Sequence, residues 1–82
     1  MKVSNEVQRL IGQLKNAEGK STYMQPEVWV KLYHRISKDR YAQSIDALSR
    51  RDFQLAQKYM DIHQAAEHLM NHHKQSIIKE NR

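Results

Sequence analysis

The chain of 82 residues has no cysteine, one proline, two glycines and only one phenylalanine and one tryptophan. Without cysteine there is no disulfide framework, no thiolate zinc site and no cysteine nucleophile. Gly12 and Gly19 stand isolated, so no glycine-rich phosphate loop is present. Hairpin dipeptides such as Asn-Gly are missing, and no period-2 run of β-branched residues reads as a strand. No apolar run approaches the ~20 residues that a membrane span needs. The stretch from Met1 to Glu6 lacks the apolar h-region of a secretory leader. These absences leave the expectation of a cytoplasmic protein without contact to the membrane. At this length there is room for one small core, so the chain reads as a single domain over 1–82.

What remains is helical patterning. Val3, Val7, Leu10, Ile11 and Leu14 fall on one narrow stripe at helical spacing, with Ser4 placed as N-cap and Gly19 as a left-handed C-terminal residue. A first helix is therefore expected from about 4 to 18. Lys20 to Gln25 forms a loop, and Pro26 suits the first turn of a second helix. Val28, Trp29, Leu32, Tyr33 and Ile36 then supply an apolar face, and Tyr41, Ile45 and Leu48 continue a helical stripe. The segment 37–40 either ends that helix or is passed through.

Ser49-Arg50-Arg51-Asp52 has the S-x-x-D capping pattern, with the Ser49 oxygen placed to accept the Asp52 N–H. A long helix without a breaker follows. Tyr41, Leu48, Leu55, Ile62 and Leu69 are spaced seven apart, which also fits one continuous helix with a heptad seam. The capping pattern favours a break at Ser49. The expected fold is all-α, a small bundle of three or four helices with a long C-terminal helix over about 50–79.

The fourteen Lys and Arg exceed the nine Asp and Glu, giving +5. Residues 31–51 carry six basic side chains against two acidic, while residues 52–82 balance four against four. The excess therefore belongs to Lys31, Arg35, Lys38, Arg40, Arg50 and Arg51. Lys31, Arg35 and Lys38 form one helical row, read as lying away from Leu32 and Ile36. Such a row can touch phosphates or an acidic protein, or it can be a solvated face. A helix-turn-helix with Gln43 to Arg50 as recognition helix would need the segment 37–40 as its tight turn.

Histidines gather in the last helix: His63, His68, His72 and His73. Asp61, His68 and His72 share a face at spacings that suit a metal, but no fourth ligand is evident, so a solvated polar face is expected and neither metal nor cofactor. His73 falls on the apolar stripe instead, as a packed or interfacial residue whose charging near pH 6 weakens the packing if no acceptor meets it. The nine acids are scattered singly, and no nucleophile has an adjacent base in sequence. Catalysis is not expected.

The last helix is apolar over more than half its circumference. Leu55, Tyr59, Ile62, Ala66, Leu69, Met70, His73 and Ile77 are accordingly expected at a dimer or partner interface, with Met70 and His73 near the dimer contact. The expected function is that of a small non-catalytic helical adaptor, inhibitor or regulator. It acts through protein–protein contacts with an unidentified protein and with itself as a homodimer. The alternative is a nucleic-acid-binding protein that uses the basic segment 31–51.

Overall fold

The computed structural model describes residues 4–21 and 24–80. Three helices follow in order: α1 (Asn5–Gly19), α2 (Pro26–Ser49) and α3 (Phe53–Glu80). Val3 of the first stripe and Thr22 and Tyr23 of the loop lie outside the described residues.

Helix α1 starts where expected. Ser4 is extended, and its hydroxyl accepts the Val7 N–H at 3.2 Å, satisfying one of the free donors of the first turn. Its end differs from expectation. Gly19 is still helical, and the cap is Lys20 in a right-handed conformation, its N–H donating to the Ala17 carbonyl while the Ser21 N–H donates to that of Glu18. No glycine among the described residues has a positive φ.

Helix α2 begins with Pro26 in its first turn and passes straight through residues 37–40. The helix-turn-helix turn is therefore not formed, because nothing in that segment breaks the hydrogen-bond ladder. The break comes after Ser49, as expected, but by other chemistry. Ser49 is the last residue of α2, and its hydroxyl donates back to the Asp46 carbonyl at 2.6 Å. Arg51 turns left-handed (φ 60°), its N–H meets Leu48 O at 3.0 Å, and the Asp52 N–H meets Ala47 O at 2.9 Å. That is the Schellman closure, here with arginine where glycine is usual. Asp52 then caps α3, its carboxylate accepting the Leu55 N–H at 3.2 Å. The Ser49 N-cap is corrected to Asp52, and the seven-residue series crosses a real break.

Helices α2 and α3 pack along each other as an αα-hairpin, and α1 lies against α3 rather than α2. The buried residues of α2 are mostly small: Ser37, Ser44 and Ala47 beside Tyr33. On α3 the buried set includes Ala56, Ala65, Ala66, Leu69 and Met70. Small side chains let two helix axes approach closely, so this hairpin is held by proximity as much as by bulk. The larger groups fill the middle, where Tyr33, Ala66, Leu69 and Met70 meet Ile11, Leu14, Trp29, Val30 and Ile36. Fully burying a side chain such as Leu69 contributes about 1.5–3 kcal/mol. Val28 and Leu32, expected on the core face of α2, are instead exposed.

Candidate functional site

The wide apolar arc of α3 is largely used inside the protomer. Ala66 and Leu69 are fully buried and Met70 is 9% exposed, while Leu55, Tyr59, Ile62, His73 and Ile77 are half-buried. Two helices cover this arc from two sides: α2 takes one flank and α1 the other. Ala66, Leu69 and Met70 are therefore core rather than free interface, which corrects the placing of Met70 at an exposed dimer contact.

His73 has an acceptor. Its Nε2 lies 2.8 Å from Oε1 of Glu18 at the end of α1, and both side chains are mostly buried. The other oxygen of the same carboxylate accepts the Tyr33 hydroxyl of α2. Trp29, Tyr33 and His73 stack with ring centroids 5.7–6.0 Å apart. One carboxylate thus joins all three helices. Burial and the adjacent Glu18 carboxylate push the Tyr33 hydroxyl well above the usual tyrosine value. The expected weakening on charging His73 required an imidazole with no acceptor, and that condition is not met.

A second cluster has the residue types of a hydrolytic triad. His63 Nδ1 is 2.8 Å from the Ser37 hydroxyl, and His63 Nε2 is 3.6 Å from Glu67. Nδ1 is also 2.9 Å from the Ser37 backbone carbonyl. A carbonyl only accepts, so Nδ1 must carry the proton and cannot act as base toward Ser37. Tyr41 covers the ring at 5.2 Å. The arrangement is a polar clamp between α2 and α3.

Asp61 is buried and accepts from Gln57 Nε2 at 2.8 Å. It ends in a small cleft between α1 and α3 that Glu6, Arg9, Leu10 and Lys58 also line. His68 and His72 are exposed, with His72 edge-on to His73. Among the described residues no three His, Cys, Asp or Glu side chains form a group that could hold a metal ion.

The six basic candidates do not make one patch. Lys31, Arg35 and Lys38 are exposed within about 60° of each other around α2, counting 3.6 residues per turn. Arg40 points to another side, half-buried, and donates to Gln43 at 2.8 Å. Arg50 pairs with Asp46 at 2.8 Å, and Arg51 sits in the turn at the hairpin's tip. Among the described residues no ion pair involves Lys31, Arg35 or Lys38. Leu32 lies beside them, since Val28, Lys31, Leu32 and Arg35 line one shallow groove.

No family model, curated protein or solved structure matches the chain.

Sequence reasoning missed the surface that stands out most. Tyr41, Ile45 and Leu48 are 48%, 47% and 43% exposed, in one row along the C-terminal half of α2. Phe53, just past the turn, is 66% exposed. Glu18 was missed as well, though it carried a signal. A carboxylate in the last turn of a helix opposes the helix dipole, so another partner must hold it there.

Proposed function

We propose that this protein is a small, non-catalytic helical binding protein of the cytoplasm, an adaptor, inhibitor or regulator that acts through protein–protein contacts as a homodimer. The observation that carries this reading is the row of Tyr41, Ile45 and Leu48. These three side chains stay exposed in a protomer whose core is otherwise complete, and contiguous apolar surface of this kind marks association sites. No helix is long and apolar enough to cross a membrane among the described residues. The polar clusters at Ser37–His63 and Glu18–His73 tie helices together, which accounts for their geometry without a catalytic role.

Direct nucleic-acid binding is the second reading, supported by the three exposed cations Lys31, Arg35 and Lys38. The adjacent aliphatic groups of Val28 and Leu32 count against it, because a phosphate backbone offers them nothing. Random duplex DNA at low salt separates the two. The protein-binding reading expects no retention. Salt-sensitive retention that disappears when Lys31, Arg35 and Lys38 are all replaced by Glu would favour nucleic acid. Sedimentation equilibrium of the whole chain tests the dimer itself; a 9.8 kDa species at tens of micromolar would defeat that part.

A further inference from the structure

Resting on the protein-binding reading above, we infer that the outer face of α2 between Val28 and Lys38 docks a short acidic segment of another protein. An aliphatic side chain of that segment seats between Val28 and Leu32, and its carboxylates meet Lys31, Arg35 and Lys38. Val28, Lys31, Leu32 and Arg35 line a shallow groove of about 270 Å³, all from α2. All four are exposed, Val28 at 45% and Leu32 at 38%. Counting 3.6 residues per turn, they lie within about 100° of each other, on the side of α2 opposite the buried Tyr33, Ser37 and Ser44. The space is open and smaller than the roughly 300–1,000 Å³ of a small-molecule pocket, so it suits a side chain carried in by a partner.

Charge selects the occupant. Glu27 stands one turn before Lys31 and Asp39 one turn after Arg35, the spacing of helical ion pairs. Neither pair forms, and among the described residues Lys31, Arg35 and Lys38 have no carboxylate partner. Three free cations bordering two exposed aliphatic groups are the complement of carboxylates bordering an aliphatic anchor. From Lys31 to Lys38 the cations extend for about 10.5 Å, at 1.5 Å per residue, so two helical turns of a partner reach all three. The exposed Asp39 lies in line with Val28 and Leu32, about two turns further along α2. An extended polyanion, whether a nucleic-acid duplex or an anionic bilayer, meets that carboxylate as well and is repelled by it. A two-turn segment on the Lys31–Lys38 row ends on the flank away from it. A bilayer-bound helix also needs a broad apolar face, where this one offers two aliphatic side chains.

The probe is a synthetic helical peptide with Leu at i and i+4 flanked by Glu, titrated into the full chain and followed by amide chemical shifts. Shifts over 28–38 are expected, and added salt should weaken the binding. Two control peptides, one with Ser for both Leu and one with Gln for every Glu, should each bind at least about tenfold more weakly. Leu32→Ser should weaken binding several-fold with helicity unchanged. Lys31→Glu combined with Arg35→Glu should abolish it, and that variant should instead bind the peptide carrying Lys in place of Glu. No shifts at about 1 mM of the Leu–Glu peptide, where even a weak complex forms, overturns the proposal. Shifts that fall on Tyr41, Ile45 and Leu48 overturn this site and leave the protein-binding reading standing. Equal binding of the Ser control overturns it too, since bare charge then suffices. Phosphatidylserine vesicles or duplex DNA bound more tightly than the peptide, and released by the charge reversal, overturn it in favour of a polyanion; with DNA the protein-binding reading falls as well. Should the charge-reversed chain lose helicity, Leu32→Ser and the control peptides decide: undiminished binding in them overturns the proposal.

Discussion

Removing the Glu18 carboxylate is the sharpest single perturbation of the fold. Glu18→Ala strips the acceptor from the hydroxyl of Tyr33, which is 2% exposed, and from Nε2 of His73. A hydrogen bond to a charged group contributes about 1.5–3 kcal/mol net. Two such bonds share one carboxylate and are not independent, which lowers their sum. The expected loss is about 2–4 kcal/mol. At roughly 0.05–0.15 kcal/mol per residue an 82-residue domain has about 4–12 kcal/mol in all, so the change removes a large fraction. Urea denaturation followed by circular dichroism measures it directly, and the corresponding fall in Tm is about 10–30 °C. Glu18→Gln keeps one acceptor oxygen and should lose about half as much. A double-mutant cycle with Tyr33→Phe should return a coupling of at least about 0.5 kcal/mol. If Glu18→Ala stays within about 0.5 kcal/mol of wild type, an ordinary surface effect, the carboxylate does not join the helices as described.

Three further outcomes follow from the local chemistry. Asp52→Ala should cost ~1 kcal/mol by removing the α3 cap, while Ser49→Ala should leave the denaturation midpoint nearly unchanged; the reverse order would restore Ser49 as N-cap. Arg51→Gly should stabilise by about 0.5–1 kcal/mol, because glycine adopts the left-handed turn without the Cβ clash, and a lower midpoint would contradict the Schellman closure. Tyr33 loses its proton less readily in the folded chain than in the unfolded one, so its contribution is intact below about pH 10 and is lost as pH rises toward the folded value. Tyrosinate absorbance should show Tyr33 ionising only together with alkaline unfolding, and Tyr33→Phe should flatten that loss of stability.

The helices were legible in the sequence because their signals are local. Ser4, Pro26 and the 3.6-residue spacing of Val7, Ile11 and Leu14 act within one or two turns. The hairpin break was legible for the wrong reason, since Ser49 and Asp52 compete for the cap and the left-handed Arg51 gives no sign in composition. The interface reading failed at Ala66, Leu69 and Met70 because it counted large apolar groups on α3 without knowing how much α1 and α2 would cover. Small residues decided that question. Ser37, Ser44 and Ala47 turn into α3 and leave Tyr41, Ile45 and Leu48 outside, an inversion that hydrophobicity alone does not reveal. His73 was read as packed or interfacial; it packs against Glu18, a partner 55 positions away in sequence and beyond the reach of any periodic pattern.

The central claim is that binding occurs on the outer row of α2 and not on α3. Amide chemical shifts of the wild-type chain, compared between dilute and concentrated samples, test this residue by residue. The account predicts concentration-dependent shifts over 38–53, with residues 59–77 unchanged. Shifts concentrated over 59–77, with Tyr41, Ile45 and Leu48 silent, would contradict it.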